Sequence, residues 1–162
     1  MKMNKKIIFL GLVMIAVIVA GTAFAINISL IENLNINNNS SDDIVLDSHY
    51  YENVSNYSND SYTINNVEIE EDILTIEVKY GGGCKEHIFS LFGSPGFMKS
   101  SPVQTDVMLS HNANNDLCKA LITEEVSFNL TPLKEVWQQM YGESGTIIIN
   151  LQGFNEPISY EF

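Results

Sequence analysis

The chain has 162 residues, with 20 acidic residues against eight lysines and no arginine, for a formal net charge of −12. Such a surface repels nucleic acid and anionic membranes, whose phosphates are bound by clustered Lys and Arg. It suits solubility and loose cation binding.

Lys2, Lys5 and Lys6 precede an uncharged apolar stretch over 7–25 that ends in Ala23-Phe24-Ala25. A basic start, an apolar centre and a small-residue A-x-A ending predict a secretory signal peptide over 1–25, cut after Ala25. The alternative is an uncleaved membrane anchor. The stretch approaches the roughly 20 residues needed to span a bilayer, and the lysines would place its start in the cytoplasm. Both readings make the rest of the chain extracytoplasmic, either secreted or anchored by residues 7–25, with membrane contact confined to that segment. The exported part keeps five lysines and all 20 acidic residues, a net −15.

Residues 26–61 are rich in Asn, Ser, Asp and Tyr, and their apolar residues recur with no clear period. This composition predicts a flexible spacer, because too little apolar surface is present to offset the entropy of ordering. Asn-x-Ser/Thr sequons begin at Asn27, Asn38, Asn39, Asn53, Asn56, Asn59 and Asn129. They make the protein a candidate glycoprotein where the host has the machinery.

Residues 62–162 read as one β domain. Residues 73–80 alternate, with Leu74, Ile76, Val78 and Tyr80 on one face. A strand over 62–69 should pair with them through a turn at 70–72. Further strands are expected over 86–92, 105–111, 117–128, 146–151 and 158–162, with Asn112–Asn115 and Gly153 as turns. One helix interrupts them: Thr131 as N-cap, Pro132 at the first helical position, and Gly142 as the stop. Leu133, Val136, Trp137 and Met140 fall on one helical face, so Trp137 reads as core. The expected fold is an antiparallel β-sandwich of about seven strands with one short helix.

The cysteines and two histidines occur in two clusters of mirrored order. The first is Gly81-Gly82-Gly83-Cys84-Lys85-Glu86-His87, and the second is His111-Asn112-Ala113-Asn114-Asn115-Asp116-Leu117-Cys118. His87 shares strand parity with Phe89 and Leu91, and His111 with Val107 and Leu109, so both rings should face inward. If 86–92 and 105–111 pair antiparallel, both histidines and both cysteines meet at one end of the domain. A Cys84–Cys118 disulfide fits two cysteines in an oxidising compartment. A Cys2His2 zinc site of Cys84, His87, His111 and Cys118 is the alternative. A catalytic Cys-His pair needs one free thiol and an orienting group that the pattern does not supply. Asp116 fits a structural role, capping the Asn-rich turn or orienting His111. The glycine run, Gly83 included, lacks the Lys-Ser/Thr of a phosphate loop and reads as a bend allowing close backbone approach. His49 has no evident partner.

The runs "YGGGCKEHIFSLF" and "SSPVQTDVMLSHNANNDLCKALITEEVSFNLTPLK", with the terminal "ISYEF", resemble a group of small exported bacterial and archaeal proteins without an established activity. Their pattern pairs GG-C-x2-H with H-x4-D-x-C and an F-x-L-x-P-L helix start. The resemblance covers most of 73–162 and implies that Cys84, His87, His111, Asp116 and Cys118 form one shared site. The expected function is a non-catalytic surface module of unknown protein or cell-surface partner, with no cofactor. The alternative is an extracytoplasmic metal-binding protein using His87 and His111, with or without the cysteines.

Overall fold

The computed structural model describes residues 42–162. The predicted leader and residues 26–41 of the predicted spacer lie outside the described residues. Nine strands and two helices follow in chain order: β1 Asp42–Asp43, β2 Val45–Leu46, α1 Tyr50–Asn53, β3 Tyr62–Glu70, β4 Ile73–Gly82, β5 Ile88–Gly93, β6 Val103–Asn112, β7 Ala120–Asn129, α2 Thr131–Tyr141, β8 Thr146–Leu151 and β9 Ile158–Glu161. Two sheets form, ordered β1-β7-β4-β3 and β2-β5-β6-β8-β9. Their inner faces enclose one core of alternating residues, among them Leu74, Ile76, Val78, Leu91, Leu109, Ile147, Ile149 and Tyr160.

The long strands lie where apolar alternation places them. The sandwich is nevertheless not purely antiparallel, because β6 and β8 pair in parallel. The chain leaves β6, adds β7 to the opposite sheet, and returns through α2 to lie beside β6. A local pattern cannot report that route, since each strand satisfies its alternation in either direction.

The predicted boundary at residue 62 also requires correction. Residues 42–61 belong to the fold: β1 pairs with the end of β7 and β2 with the end of β5, both in parallel. Ile44 and Tyr50 are buried, and Tyr57 stacks on Phe92 with ring centroids 4.0 Å apart. A few well-placed apolar residues dock this segment on a sandwich already formed, so it needs no periodicity of its own. Its sequons are partly engaged as well, since Asn53 donates to the Asp47 carboxylate at 2.9 Å.

The start of α2 differs by one residue from expectation. Leu130 occupies the N-cap position without a side-chain bond. Asn129 supplies the acceptor instead, its Oδ1 taking the Thr131 N–H at 3.0 Å and the Thr131 hydroxyl at 2.7 Å. Trp137 packs into the core cluster, and Gly142 ends the helix at φ 139°.

Candidate functional site

The site begins where the chain crosses twice between the sheets. β4 and β7 pair antiparallel until Gly82 faces Ala120. Two residues beyond that rung on each strand, Cys84 and Cys118 join in a disulfide with Cα atoms 5.8 Å apart. The crossing from β4 to β5 carries His87, and the crossing from β6 to β7 carries Asp116. β5 and β6 pair antiparallel with Phe89 opposite His111, which brings His87 beside His111 as strand parity requires.

Asp116 holds the two crossings together. One carboxylate oxygen accepts the backbone N–H of Cys84 at 2.8 Å and of Lys85 at 3.0 Å, while the other accepts that of Cys118 at 2.9 Å. These bonds, led by those from Cys118 and Cys84, hold the Asp116 carboxyl well below the usual carboxylate range. Hydrogen bonds to the ionised form are the cause. The turn itself is fixed by Asn114 and Asn115, both at positive φ, a conformation that Asn tolerates. Lys85 Nζ donates to the carbonyls of Asn114 and Asn115 at 2.8 and 2.9 Å, and Asn114 donates to the Glu86 carbonyl at 2.7 Å.

Behind the disulfide runs a buried polar chain. The His111 residue and the side chains of His87 and Asp116 are each 1 % exposed. His111 Nδ1 lies 3.0 Å from the Asp60 carbonyl, so that nitrogen must donate. His111 Nε2 lies 2.8 Å from His87 Nδ1, and His87 Nε2 faces an Asp116 oxygen at 3.4 Å. With Nδ1 donating, a neutral His111 presents Nε2 as the acceptor for His87 Nδ1, and burial pushes the His111 pKa down. Aromatic faces wall the chain: Phe89 stacks on His111 at 4.3 Å, and Tyr80 on His87 at 4.5 Å.

The structure therefore brings together every residue of the two sequence clusters singled out for chemistry. It gives them roles different from a Cys2His2 centre, because the sulfurs bond to each other and both His111 ring nitrogens are engaged. Asp60 falls in the predicted spacer, yet its carbonyl ends the histidine chain and its carboxylate accepts the Ala113 N–H at 2.7 Å. No local pattern marks it. His49 lies away from the site, its N–H donating to Asp47 at 2.8 Å.

Two of the three glycines have separable uses. Gly83 adopts φ 108°, and Gly82 makes room for His87. A Cβ on Gly82 would lie 2.5 Å from His87 Nε2 and 3.2 Å from an Asp116 oxygen. Gly82→Ala is expected to cost about 1–3 kcal/mol through overpacking and to break the His87–Asp116 contact. Denaturant midpoints and imidazole NMR shifts check it; an unchanged midpoint with unchanged shifts would show that the ring has room to spare.

Acid should destabilise the domain through its low-pKa carboxylates and, at higher pH, through His111, whose buried ring resists the protonation that the unfolded chain accepts. Asp116 and Asp72 are held below the ordinary value of 3.8, and Asp47 is brought down to about 2 by Tyr57, Asn53 and the His49 N–H. Each resists protonation that the unfolded chain accepts. Their contribution is thus complete above about pH 4 and lost progressively as pH falls through the folded values. Thermal midpoints measured from pH 6 to pH 2 should fall below pH 4, and less steeply in Asp116→Asn. A variant with the wild-type slope would remove Asp116 from this account.

The domain is similar in fold to a NigD-like immunity protein from Bacteroides caccae, at 14 % identity and TM-score 0.51, over 74 % of this chain and 58 % of that one. A Parabacteroides distasonis protein named as toxin related matches at 22 % identity and TM-score 0.48, over 75 % of this chain and 59 % of that one. A protein of unknown function from Bacteroides vulgatus matches at 17 % identity and TM-score 0.43, over 75 % of this chain and 55 % of that one. The chain thus spans less than two thirds of each of these structures. No curated protein matches it. Residues 43–162 match the model of the NigD-like C-terminal beta sandwich domain, and the chain belongs to that family.

Proposed function

We propose that this protein is a non-catalytic, immunity-like binding module of the extracytoplasmic space, which meets a protein partner with its disulfide-braced end. One observation carries the reading: Leu117 is 88 % exposed, at the apex of the most heavily cross-linked loop of the domain. An apolar side chain held open on a rigid support loses little entropy on docking, as an interface anchor should. Leu121, 69 % exposed, extends the apolar surface along β7. Lys79, Lys85 and Lys119, three of the five lysines beyond residue 25, surround the same knot and suit an acidic rim on the partner.

The buried histidine chain supports the non-catalytic reading, since its ring nitrogens are engaged by one another and by fixed acceptors. The name of the Bacteroides caccae relative, an immunity protein, supports a protein as the partner. The leader reading supplies the compartment.

A photoreactive residue placed at position 117 in the producing cell tests this. A single discrete adduct is expected there, identifiable by mass spectrometry, and none from the same residue at position 140, which is exposed on α2. The adduct should disappear when Leu121 is replaced by Asp. Equal labelling at both positions, or none at 117, overturns the reading.

A further inference from the structure

We propose that reduction of the Cys84–Cys118 disulfide converts this knot into a site for one zinc-class divalent cation, held by the two cysteine thiolates and the Asp116 carboxylate. The inference does not depend on the docking role. The Sγ atoms of Cys84 and Cys118 and a carboxylate oxygen of Asp116 lie within 4.8 Å of one another. That donor set suits zinc, which takes thiolate sulfur at about 2.3 Å and carboxylate oxygen at about 2.0–2.2 Å.

The carboxylate is already oriented as a ligand would need to be. Three backbone N–H groups fix it, two of them from the cysteines themselves, so the ligands and their supporting bonds form one unit. His87 Nε2 stands 3.4 Å from an Asp116 oxygen but lies outside the group of mutually close ligand atoms, so the fourth position of the tetrahedron falls to solvent. His111, with both nitrogens engaged, serves as the support of His87 rather than as a ligand.

Cys84 is exposed, which gives a reductant access. A dithiol reductant of the exported compartment supplies two electrons and two protons; its own sulfurs become a disulfide, and Cys84 and Cys118 become thiols. Cation binding then releases both thiol protons to solvent. The domain would hold its loop covalently when oxidised and by coordination when reduced.

The test uses the full chain, reduced with a phosphine, desalted without oxygen and titrated with Co2+. The expected result is one cobalt per chain, with a near-ultraviolet thiolate-to-cobalt band that Zn2+ displaces, and no such band for the oxidised chain. Reduced Cys84→Ser lacks no cross-link that the reduced wild type retains, so it is a fair control; its band should fall by half or vanish. Asp116→Asn should weaken cobalt by about tenfold or more. Far-ultraviolet circular dichroism follows each titration, so that a reduced chain which loosens and is restored by cobalt counts in favour. A reduced chain that keeps its sheet spectrum without binding overturns the proposal. So does one that loses its sheet spectrum and is not restored by cobalt, or one whose affinity is indifferent to Asp116→Asn.

Discussion

Cys84→Ser/Cys118→Ser is expected to lower the stability of the domain by roughly 3–4 kcal/mol, from the entropy that a closed loop of this length removes from the unfolded chain. The sequence separation of the two cysteines is 34. A single domain of this size has only about 5–15 kcal/mol in hand, so the loss raises the unfolded fraction by more than a hundredfold. The disulfide spans both inter-sheet crossings, and no other covalent bond joins them among the described residues. Guanidinium unfolding of the variant and of the reduced wild type should give the same midpoint, below that of the oxidised protein. A loss under 1 kcal/mol would mean that Asp116 and Lys85 already close the loop without help from the sulfurs.

The legibility of this molecule follows from the range of its interactions. β4 could be read because Leu74, Ile76, Val78 and Tyr80 all face one core, and the paired histidines because Phe89, Leu91, Val107 and Leu109 fix their parity. Both are period-two signals that survive any sheet order. Asn114 and Asn115 announced a turn through their own side chains. The parallel pairing of β6 with β8 left no such trace, since it depends on where the chain returns after α2. Residues 42–61 read as spacer for a related reason. Ile44, Tyr50 and Tyr57 dock on surfaces built by distant strands, so composition reported their polar neighbours rather than their contacts. The Asp60 carbonyl was invisible because every residue has one; only its position opposite His111 makes it part of the site. Sequence thus named the members of the knot and their common end, whereas the chain of bonds among them required the fold.

The other large effect is expected from His111→Ala, at about 3–5 kcal/mol. Removing a fully buried ring leaves a cavity beside Phe89, comparable to truncating a core aromatic. The substitution also removes the partner of two polar groups, the Asp60 carbonyl and His87 Nδ1, and a buried polar group left unsatisfied costs about 1–3 kcal/mol. His111→Phe separates the two contributions. A phenyl ring leaves no cavity and keeps the stacking on Phe89 but makes neither hydrogen bond and is larger than imidazole, so it should lose about 1–3 kcal/mol from the unpaired groups and a comparable amount from overpacking. The backbone bonds at this position are indifferent to both changes, because His111 N–H donates to the Ser58 carbonyl and its own carbonyl accepts from Asp60 N–H through the main chain. Both variants should therefore keep the disulfide and the sheet spectrum while differing in denaturant midpoint. If His111→Phe matches the wild type, the histidine chain contributes nothing net to stability. Its cost of burial would then have to be balanced by a role that only the native ring, acting with His87 and Asp116, can serve.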